Sequence, residues 1–427
     1  MATKRSYLDP IHQDIVLNRG IPEQRLIIDL IDTPEFQRLR RIHQLGVSFF
    51  TFQGAEGSRF THSVGVMHVA TRLVELLSEN TSSIKDKIPL ILTSALLHDI
   101  GHGPYSHVTE KIVGYDHEDW SCRIISGNTV VNAVLKDADA ELPDKITQVL
   151  QKTYVPHYVS HLVSSQLDCD RFDYLLRDSY MTGTAYGLFA LQRILSSLEI
   201  DEVGDRIVVS GEKGQTAVED YLFARYSMYA QVYYHKKNLA ARALLARLLK
   251  RARHLRDRVC FMDEPTHKWL TGADLTVNEY LQLDDVQMTY HIKRWLADTD
   301  PILSDLASRF IHRRLLNAIH LPSHNYDFIE QVEKNARNAV AKLGLDPDYY
   351  VGLESTGIRP YDYYRPDAQN PQTNIMVRNE NGVVKELSTI SGTVEALVKG
   401  NFESHWLVYP QEARDQIAAI RELVPAR

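Results

Sequence analysis

His98 and Asp99 stand side by side at the end of an apolar run, in Leu96-Leu97-His98-Asp99-Ile100-Gly101-His102-Gly103-Pro104. Burying a polar group without a partner costs roughly 2–7 kcal/mol, and burying a lone charge costs more. A cation held by both side chains satisfies them together. His62 lies upstream and Asp168, Asp170 and Asp173 lie downstream. An isolated His-Asp dipeptide is ordinarily a helix end whose carboxylate caps or pairs locally. With those further donors in the chain, the pair points instead to a mixed nitrogen and oxygen site for a transition metal. The expected ligands are His62, His98, Asp99 and Asp170, a set that suits Mn, Fe or Zn and leaves positions for water and a phosphate oxygen. Such a cation neutralises developing charge on a phosphoryl group and lowers the pKa of bound water, so hydrolysis of a phosphate ester is the expected chemistry. His102, His107 and His117 follow closely. Any one of them could be a satisfied structural histidine, but a histidine near its working pKa protonates a leaving oxygen, and at least one of the three is expected to do so.

Asp170, Tyr174 and Asp178 are spaced i, i+4, i+8 and share one helix face, flanked by Arg171 and Arg177. Such faces are usually solvated and laced with ion pairs. This one could equally present a metal ligand at one end and a carboxylate for a sugar hydroxyl at the other. Arg59, just before His62, is placed to meet a polyphosphate.

Helices must position these groups. The pattern over 34–195 is mostly helical. Thr61 or Ser63 opens a helix whose apolar series runs Val64, Met67, Ala70, Leu73, Val74 and Leu77, with a break at 80–83. Pro89 suits a first helical turn, and 90–100 is apolar nearly all round, as in a central buried helix ended by Gly101 and Gly103. A further helix is expected over 164–179, stopping near Gly183. A strand pair is expected within 194–211, around Ile207-Val208-Val209 and a turn at Gly204. Long helices then cover 217–258. The stretch 235–258 is rich in Lys and Arg, and its apolar stripe of Leu239, Ala243, Leu244, Leu248 and Leu249 favours a packed amphipathic helix with a solvated basic face over an anion-binding or subunit-contact role. More helices are expected to about 343, then strands at 349–353, 373–378 and 383–388, a loop at 359–372 rich in proline and tyrosine, and a last helix over 410–423.

The 427 residues allow two or three domains, or one large core with an appendage. A 44% hydrophobic and 24% charged composition excludes wholesale disorder. A net charge of -7 argues against a nucleic-acid backbone as the main partner. Cys122, Cys169 and Cys260 show no paired spacing, which suits a reducing compartment. No signal-like stretch opens the chain, and no apolar run approaches the roughly 20 residues needed to span a bilayer. A cytoplasmic protein without membrane contact is expected.

Several ordered segments together resemble the HD-domain deoxynucleoside triphosphate (dNTP) triphosphohydrolases. They are Asp9-Pro10-Ile11-His12, Asp32-Thr33-Pro34-Glu35-Phe36-Gln37-Arg38-Leu39-Arg40, Gln44-Leu45-Gly46, Arg59-Phe60-Thr61-His62-Ser63-Val64-Gly65-Val66, Leu97 through His107, His117-Glu118, and Asp168 through Asp178. The likeness runs from Asp9 to about Lys236 and is vaguer beyond. It implies a mostly α fold, with an HD-domain helical core and a small α+β C-terminal region. It also implies hydrolysis of a dNTP to deoxynucleoside and inorganic triphosphate, by attack of a metal-activated water on the α-phosphorus, with a further Mg ion accompanying the nucleotide. By position, His62, His98, Asp99 and Asp170 would hold the metal, and His102, His107 and His117 would line the reacting phosphate, with His107 the proton donor. Arg59, Arg171 and Arg225 would grip phosphates. Gln44 and Asp178 would bind the sugar 3′ hydroxyl, Leu45 and Tyr174 would crowd the 2′ carbon, and Tyr233 would pack beside sugar or base. Asp32, Gln37 and Arg40 fall where some members bind a nucleotide activator. Leu8, where activated relatives often carry a polar residue, and a longer stretch after Ile15 depart from that pattern. The resemblance further implies a homo-oligomer, a dimer or tetramer.

The expected organisation is an N-terminal segment with a regulatory or interface site (1–48), the metal-dependent phosphohydrolase core (49–195), a β-hairpin and helices completing the substrate pocket (196–274), and a C-terminal α+β region (275–427). Rival readings are a nucleoside monophosphate phosphatase and a nucleotide- or nucleic-acid-binding sensor that has lost catalysis. A ppGpp hydrolase should show an acidic pair soon after its His-Asp, and a cyclic-dinucleotide phosphodiesterase a Gly-Tyr-Pro motif; neither is present.

Overall fold

The computed structural model describes residues 3–321, 326–357, 361, 374–400 and 403–421. A hairpin opens the chain: β1 (Lys4–Asp9) pairs antiparallel with β2 (Gln13–Asn18), from Lys4↔Asn18 to Asp9↔Gln13. It was not expected from sequence, and the reason is visible. Leu8 is 88% exposed, so no clean alternation of apolar and polar residues marks a buried face. Next come α1 (Pro22–Ile31) and α2 (Pro34–Arg38), each with proline in its first turn, where the missing N–H is no loss.

The central helices follow the apolar periodicity. α3 (Arg59–Asn80) buries Val64, Met67, Ala70, Leu73, Val74 and Leu77. A 3-10 turn (Ser82–Lys87) leads into α4 (Ile88–Leu97), in which every residue from Leu90 to Leu97 is buried. This helix ends three residues before the expected Ile100. The Ile100 N–H turns back to the Leu97 carbonyl and the His102 N–H to that of Asp99, so His98 and Asp99 sit in a tight turn at the helix end. Gly101 is required there: a Cβ would lie 2.2 Å from both the His117 carbonyl oxygen and the Ser121 nitrogen.

α5 (His107–Val113), α6 (His117–Ser126), α7 (Val130–Ala138), α8 (Leu142–Leu150) and α9 (His157–Val163) wrap this centre. α10 (Cys169–Thr182) then packs on α3. It starts at Cys169 and not at 164, because Asp168 takes the cap position and its carboxylate accepts the Arg171 N–H at 2.7 Å. Gly183 ends it at φ 70, as expected of a left-handed cap.

After α11 (Leu191–Leu195), β3 (Leu198–Asp201) and β4 (Arg206–Ser210) form the expected strand pair. α12 (Gly211–Met228) passes through a π-helical turn (Tyr229–Tyr233) into α13 (Lys236–Leu255). α13 buries its leucine and alanine stripe, and its Arg247 and Arg251 pair with Glu354 and Asp300, so the basic stretch is a packed helix. α14 (Glu264–Thr271), α15 (Val277–Tyr280), α16 (Asp285–Trp295) and α17 (Pro301–Ile311) complete the helical body.

The C-terminal part mixes β5 (Asn317–Leu321), α18 (Tyr326–Lys342), α19 (Pro347–Tyr350), β6 (Gly352–Gly357), β7 (Met376–Arg378), β8 (Val384–Glu386), α20 (Gly392–Lys399), β9 (Glu403–Tyr409) and α21 (Arg414–Arg421). Here β5, β9 and β6 form one antiparallel sheet, while β7 runs parallel to β4 and extends the earlier strand pair to the order β3-β4-β7-β8. The strand expected at 349–353 begins at Gly352, because Asp346 caps the short α19 immediately before it. β5, β9 and α20 were not anticipated. The loop 359–372 lies outside the described residues apart from Tyr361, as do residues 422–423 of the last expected helix. The architecture is mostly α with a small α+β C-terminal region. No helix among the described residues is long and apolar enough to cross a membrane.

Candidate active site

The end of α4 faces α3 and α10, and four donors converge there. His62 Nε2 lies 3.1 Å from Asp170 Oδ1 and 3.5 Å from Asp99 Oδ2. His98 Nε2 lies 3.4 Å from Asp99 Oδ1 and 3.6 Å from Asp170 Oδ1. Nδ1 of His98 is held 2.9 Å from the Ala95 carbonyl, to which it donates, so Nε2 carries a lone pair; that atom is buried and without a hydrogen-bond partner. His62 Nδ1 donates likewise to Asp173 at 2.8 Å. Two imidazoles with fixed tautomers and two carboxylates match the charge and ligand preference of a divalent transition metal. Arg59 bonds Asp99 and, through Nε, the Ser106 hydroxyl at 2.8 Å. Burial pushes the Asp99 carboxyl up, but Arg59 and the neighbouring imidazoles hold it well below the usual carboxylate range.

A second cluster adjoins the first. Glu110, on α5, collects three histidines: His117 Nδ1 at 2.9 Å and His102 Nδ1 at 3.3 Å from Oε1, and His107 Nδ1 at 2.8 Å from Oε2. The rings of His102 and His117 stack face to face at 3.9 Å and 13°. The four side chains bring their donor atoms within 4.8 Å of one another, close enough to hold a metal ion or to exchange protons around one carboxylate. Burial, together with the charges of Arg59 and His117, drives His102 down to about 3, so it stands neutral near pH 7. Burial also lowers His117, but Glu110 more than offsets it and holds that imidazole above its ordinary value. The side chain of His107 is 61% exposed, the most open of the three.

Both clusters border a cavity of about 620 Å³, a size that accepts a nucleotide. Asp170, Tyr174 and Asp178 all line it along one face of α10, and at 1.5 Å per residue Asp178 lies about 12 Å along the helix from Asp170. At that far end Asp178 accepts the Tyr233 hydroxyl at 2.8 Å. Gln44 and Leu45 line the same cavity, and Gln44 Oε1 is buried without a donor.

Burial raises the Asp178 carboxyl to about 7, although the Tyr233 bond and the charge of His62 oppose the rise. The unfolded chain would lose this proton near the ordinary 3.8 while the folded one keeps it to about 7. Stability contributed at this site therefore falls as pH rises from about 4 to 7, and the full penalty stands above 7. Asp178→Asn is expected to raise the melting temperature at pH 8, by a stabilisation of order 1 kcal/mol, with the difference closing by pH 4. Melting curves at the two pH values check this.

Other expected residues point elsewhere. Arg171 bonds Asp168 and the Ser165 carbonyl, and Arg225 donates to Gln166 Oε1 at 2.8 Å; neither lines the cavity. Asp168 caps α10 and pairs with Arg171, and not with His62, His98 or Asp99. Near the N-terminus, Gln37 accepts from Arg40 Nε at 2.8 Å and Arg40 lies over the Phe60 ring at 3.5 Å, while Asp32 accepts from Arg5 at 2.6 Å. Sequence reasoning passed over Glu110, whose i+3 spacing from His107 was the available signal. It also passed over Tyr234, Arg242, Ser355 and Thr356 at the cavity rim, which no local pattern marks.

Comparison with known proteins bears on this arrangement. The HD domain matches residues 59–178, and the HD associated region matches residues 189–423. The chain is 40% identical over 419 residues to the uncharacterized protein YwfO of Bacillus subtilis, covering 96% of this chain and 93% of that protein. It is 30% identical over 266 residues to the deoxynucleoside triphosphate triphosphohydrolase SAMHD1 of Danio rerio, covering 53% of this chain and 42% of that one. In three dimensions it is similar to a phosphohydrolase from Bacteroides thetaiotaomicron, with a TM-score of 0.81, 27% identity, and coverage of 96% of this chain and 100% of the other. With the HD domain match spanning the donors around α3, α4 and α10, and the associated region spanning more than half of the sequence, the chain belongs to the HD-domain phosphohydrolase family.

Proposed function

We propose that the protein hydrolyses deoxynucleoside triphosphates to deoxynucleoside and inorganic triphosphate. The observation that carries this reading is one cavity bordered by three sets of groups: His98, Asp99 and Asp170, behind which His62 lies 3.1 Å from Asp170; His107, Glu110 and His117; and Gln44, Leu45, Tyr174, Asp178 and Tyr233, the last two at the other end of α10. The likeness to SAMHD1 of Danio rerio supports the same substrate class. A divalent cation bound by the four donors (Mn, Fe or Zn) would supply Lewis acidity, lowering the pKa of water and neutralising phosphoryl charge.

The chain's own residues do the rest. Hydrolysis joins a water oxygen to the α-phosphorus and breaks its bond to O5′, which leaves as a hydroxyl after taking a proton. His107 supplies that proton: Glu110 holds its Nδ1, leaving Nε2 for O5′. Arg59, fixed by Asp99 and Ser106, meets the phosphate charge. Gln44 Oε1 and Asp178 would accept the 3′ hydroxyl, and Leu45 and Tyr174, which line the same cavity, would crowd the 2′ carbon. Arg171 and Arg225 would join the phosphate grip by turning from Asp168 and Gln166. An activator nucleotide near Asp32, Gln37 and Arg40, a second Mg ion on the nucleotide, and assembly as a dimer or tetramer belong to the same reading.

One observation favours a second reading, a nucleoside monophosphate phosphatase: of the three arginines, only Arg59 lines the cavity. Incubating the protein with Mn²⁺ and each dNTP, ribonucleoside triphosphate or deoxynucleoside monophosphate, followed by chromatography, separates the two. Inorganic triphosphate released from dNTPs alone supports the first reading. Orthophosphate released from monophosphates rejects it.

A further inference from the structure

The turn of the hairpin that opens the chain reaches Asp173, the carboxylate behind His62 of the candidate metal centre. Asp9 closes β1, and its Oδ1 accepts the backbone N–H groups of Ile11 at 2.9 Å and His12 at 3.0 Å, which shapes the turn. Its Oδ2 accepts Arg177 Nη1 at 2.7 Å, which fastens the turn to α10. So held, His12 points inward: Nε2 is 2.6 Å from Asp173 Oδ1, and the two side chains are 2% and 0% exposed. Asp173 accepts three further bonds, from Arg177 Nη2 on Oδ1 (2.9 Å), and from Arg177 Nε and His62 Nδ1 on Oδ2 (2.8 Å each). Gly65 makes room for this packing, since a Cβ there would fall 2.1 Å from Asp173 Oδ1 and 2.3 Å from Arg177 Nη2.

Each Asp173 oxygen thus receives one Arg177 bond and one histidine bond. The fork of Arg177 holds the carboxylate's plane, and the two histidines balance it on either oxygen. His62 receives its orientation from this carboxylate: the bond to Nδ1 leaves Nε2 bare toward Asp99 and Asp170. We infer that His12 is a positioning residue of the metal centre, locking Asp173 and through it the tautomer and ring angle of His62, so that the β1–β2 hairpin is a working part of the site. Removing the His12 donor leaves Oδ1 of the buried Asp173 with Arg177 alone, so the carboxylate loses the bond that balances His62 and tilts within the Arg177 fork, carrying the His62 ring with it.

This rests on the reading of His62 as a ligand, and its test needs no substrate. The dissociation constant for Mn²⁺ is read from the electron paramagnetic resonance of the free ion, for wild type, His12→Ala and His12→Gln. Direct partners of metal-binding histidines typically change affinity about 10–100-fold; His12 acts one bond further out, through Asp173, so a loss of up to about 10-fold is expected for His12→Ala. His12→Gln offers an amide N–H to Asp173 and is expected to recover most of it. Binding of Mn²⁺ by His12→Ala as tightly as by wild type overturns the inference. So does an equal loss in both variants, which would mean simple packing. If His12→Ala fails to fold by circular dichroism, His12→Leu keeps the volume without the donor and is judged by the same outcomes. Wild type that binds Mn²⁺ through His62 but cleaves no dNTP would end the proposed function and leave this inference standing.

Discussion

His98→Ala and Asp170→Ala are each expected to lose the metal and to reduce turnover below about one-thousandth of wild type, since a catalytic cation contributes several kcal/mol of transition-state stabilisation. The expectation follows from convergence. His98 Nε2 is buried, carries a lone pair toward Asp99 and Asp170 and has no hydrogen-bond partner, so a cation is what completes it. Asp170 is shared between both imidazoles at 3.1 and 3.6 Å. Asp168 provides the contrast. It caps α10 and pairs with Arg171, so Asp168→Ala is expected to keep the metal and lose about 1 kcal/mol or more of stability, the usual range for an N-cap. Elemental analysis of the purified variants, alongside their melting curves, decides between the two carboxylates. Metal retained in Asp170→Ala and lost in Asp168→Ala would refute the ligand assignment.

Glu110→Gln is expected to lower kcat by about 10²–10⁴, the usual contribution of positioned proton transfer, with metal content unchanged. One carboxylate lies beside His102, His107 and His117 together, so its loss removes a partner from all three rings, leaving His102 only its contact with Asp99 at 3.2 Å. The direction of the pH effect is also fixed. Burial alone would lower His117, and Glu110 is the largest influence raising it. Without that charge the imidazole gives up its proton at lower pH. A step that needs His117 protonated beside the His107 donor therefore fails at lower pH in Glu110→Gln than in wild type, and an alkaline limb set by His117 moves toward acid. An unchanged profile with unchanged kcat would remove the cluster from the chemistry. Loss of metal in Glu110→Gln would mean instead that the two clusters cannot be separated.

Much of the scaffold was legible because it repeats. The apolar series of α3, the continuous run of α4 and the shared face of Asp170, Tyr174 and Asp178 are periodic features, and periodicity survives in a one-dimensional string. The boundaries were less legible. α10 starts at Cys169 because Asp168 prefers to cap it, and α4 stops at Leu97 because the chain tightens into turns that carry His98 and Asp99. The hairpin of β1 and β2 escaped notice because its outward face carries Leu8, and β5 and β9 because their pairing partners are distant in the chain.

The string of residue types determined the helical body, the donors able to hold a cation and the histidines beside them, since each depends on local spacing and on side-chain chemistry. Tertiary structure alone decided the partners: that Arg171 turns to Asp168 and Arg225 to Gln166, that Glu110 gathers three imidazoles, and that His12 reaches Asp173 from the N-terminal turn. A buried polar group bonds to whatever packing brings within about 3 Å, and contacts between distant segments leave no periodic trace in the chain that makes them.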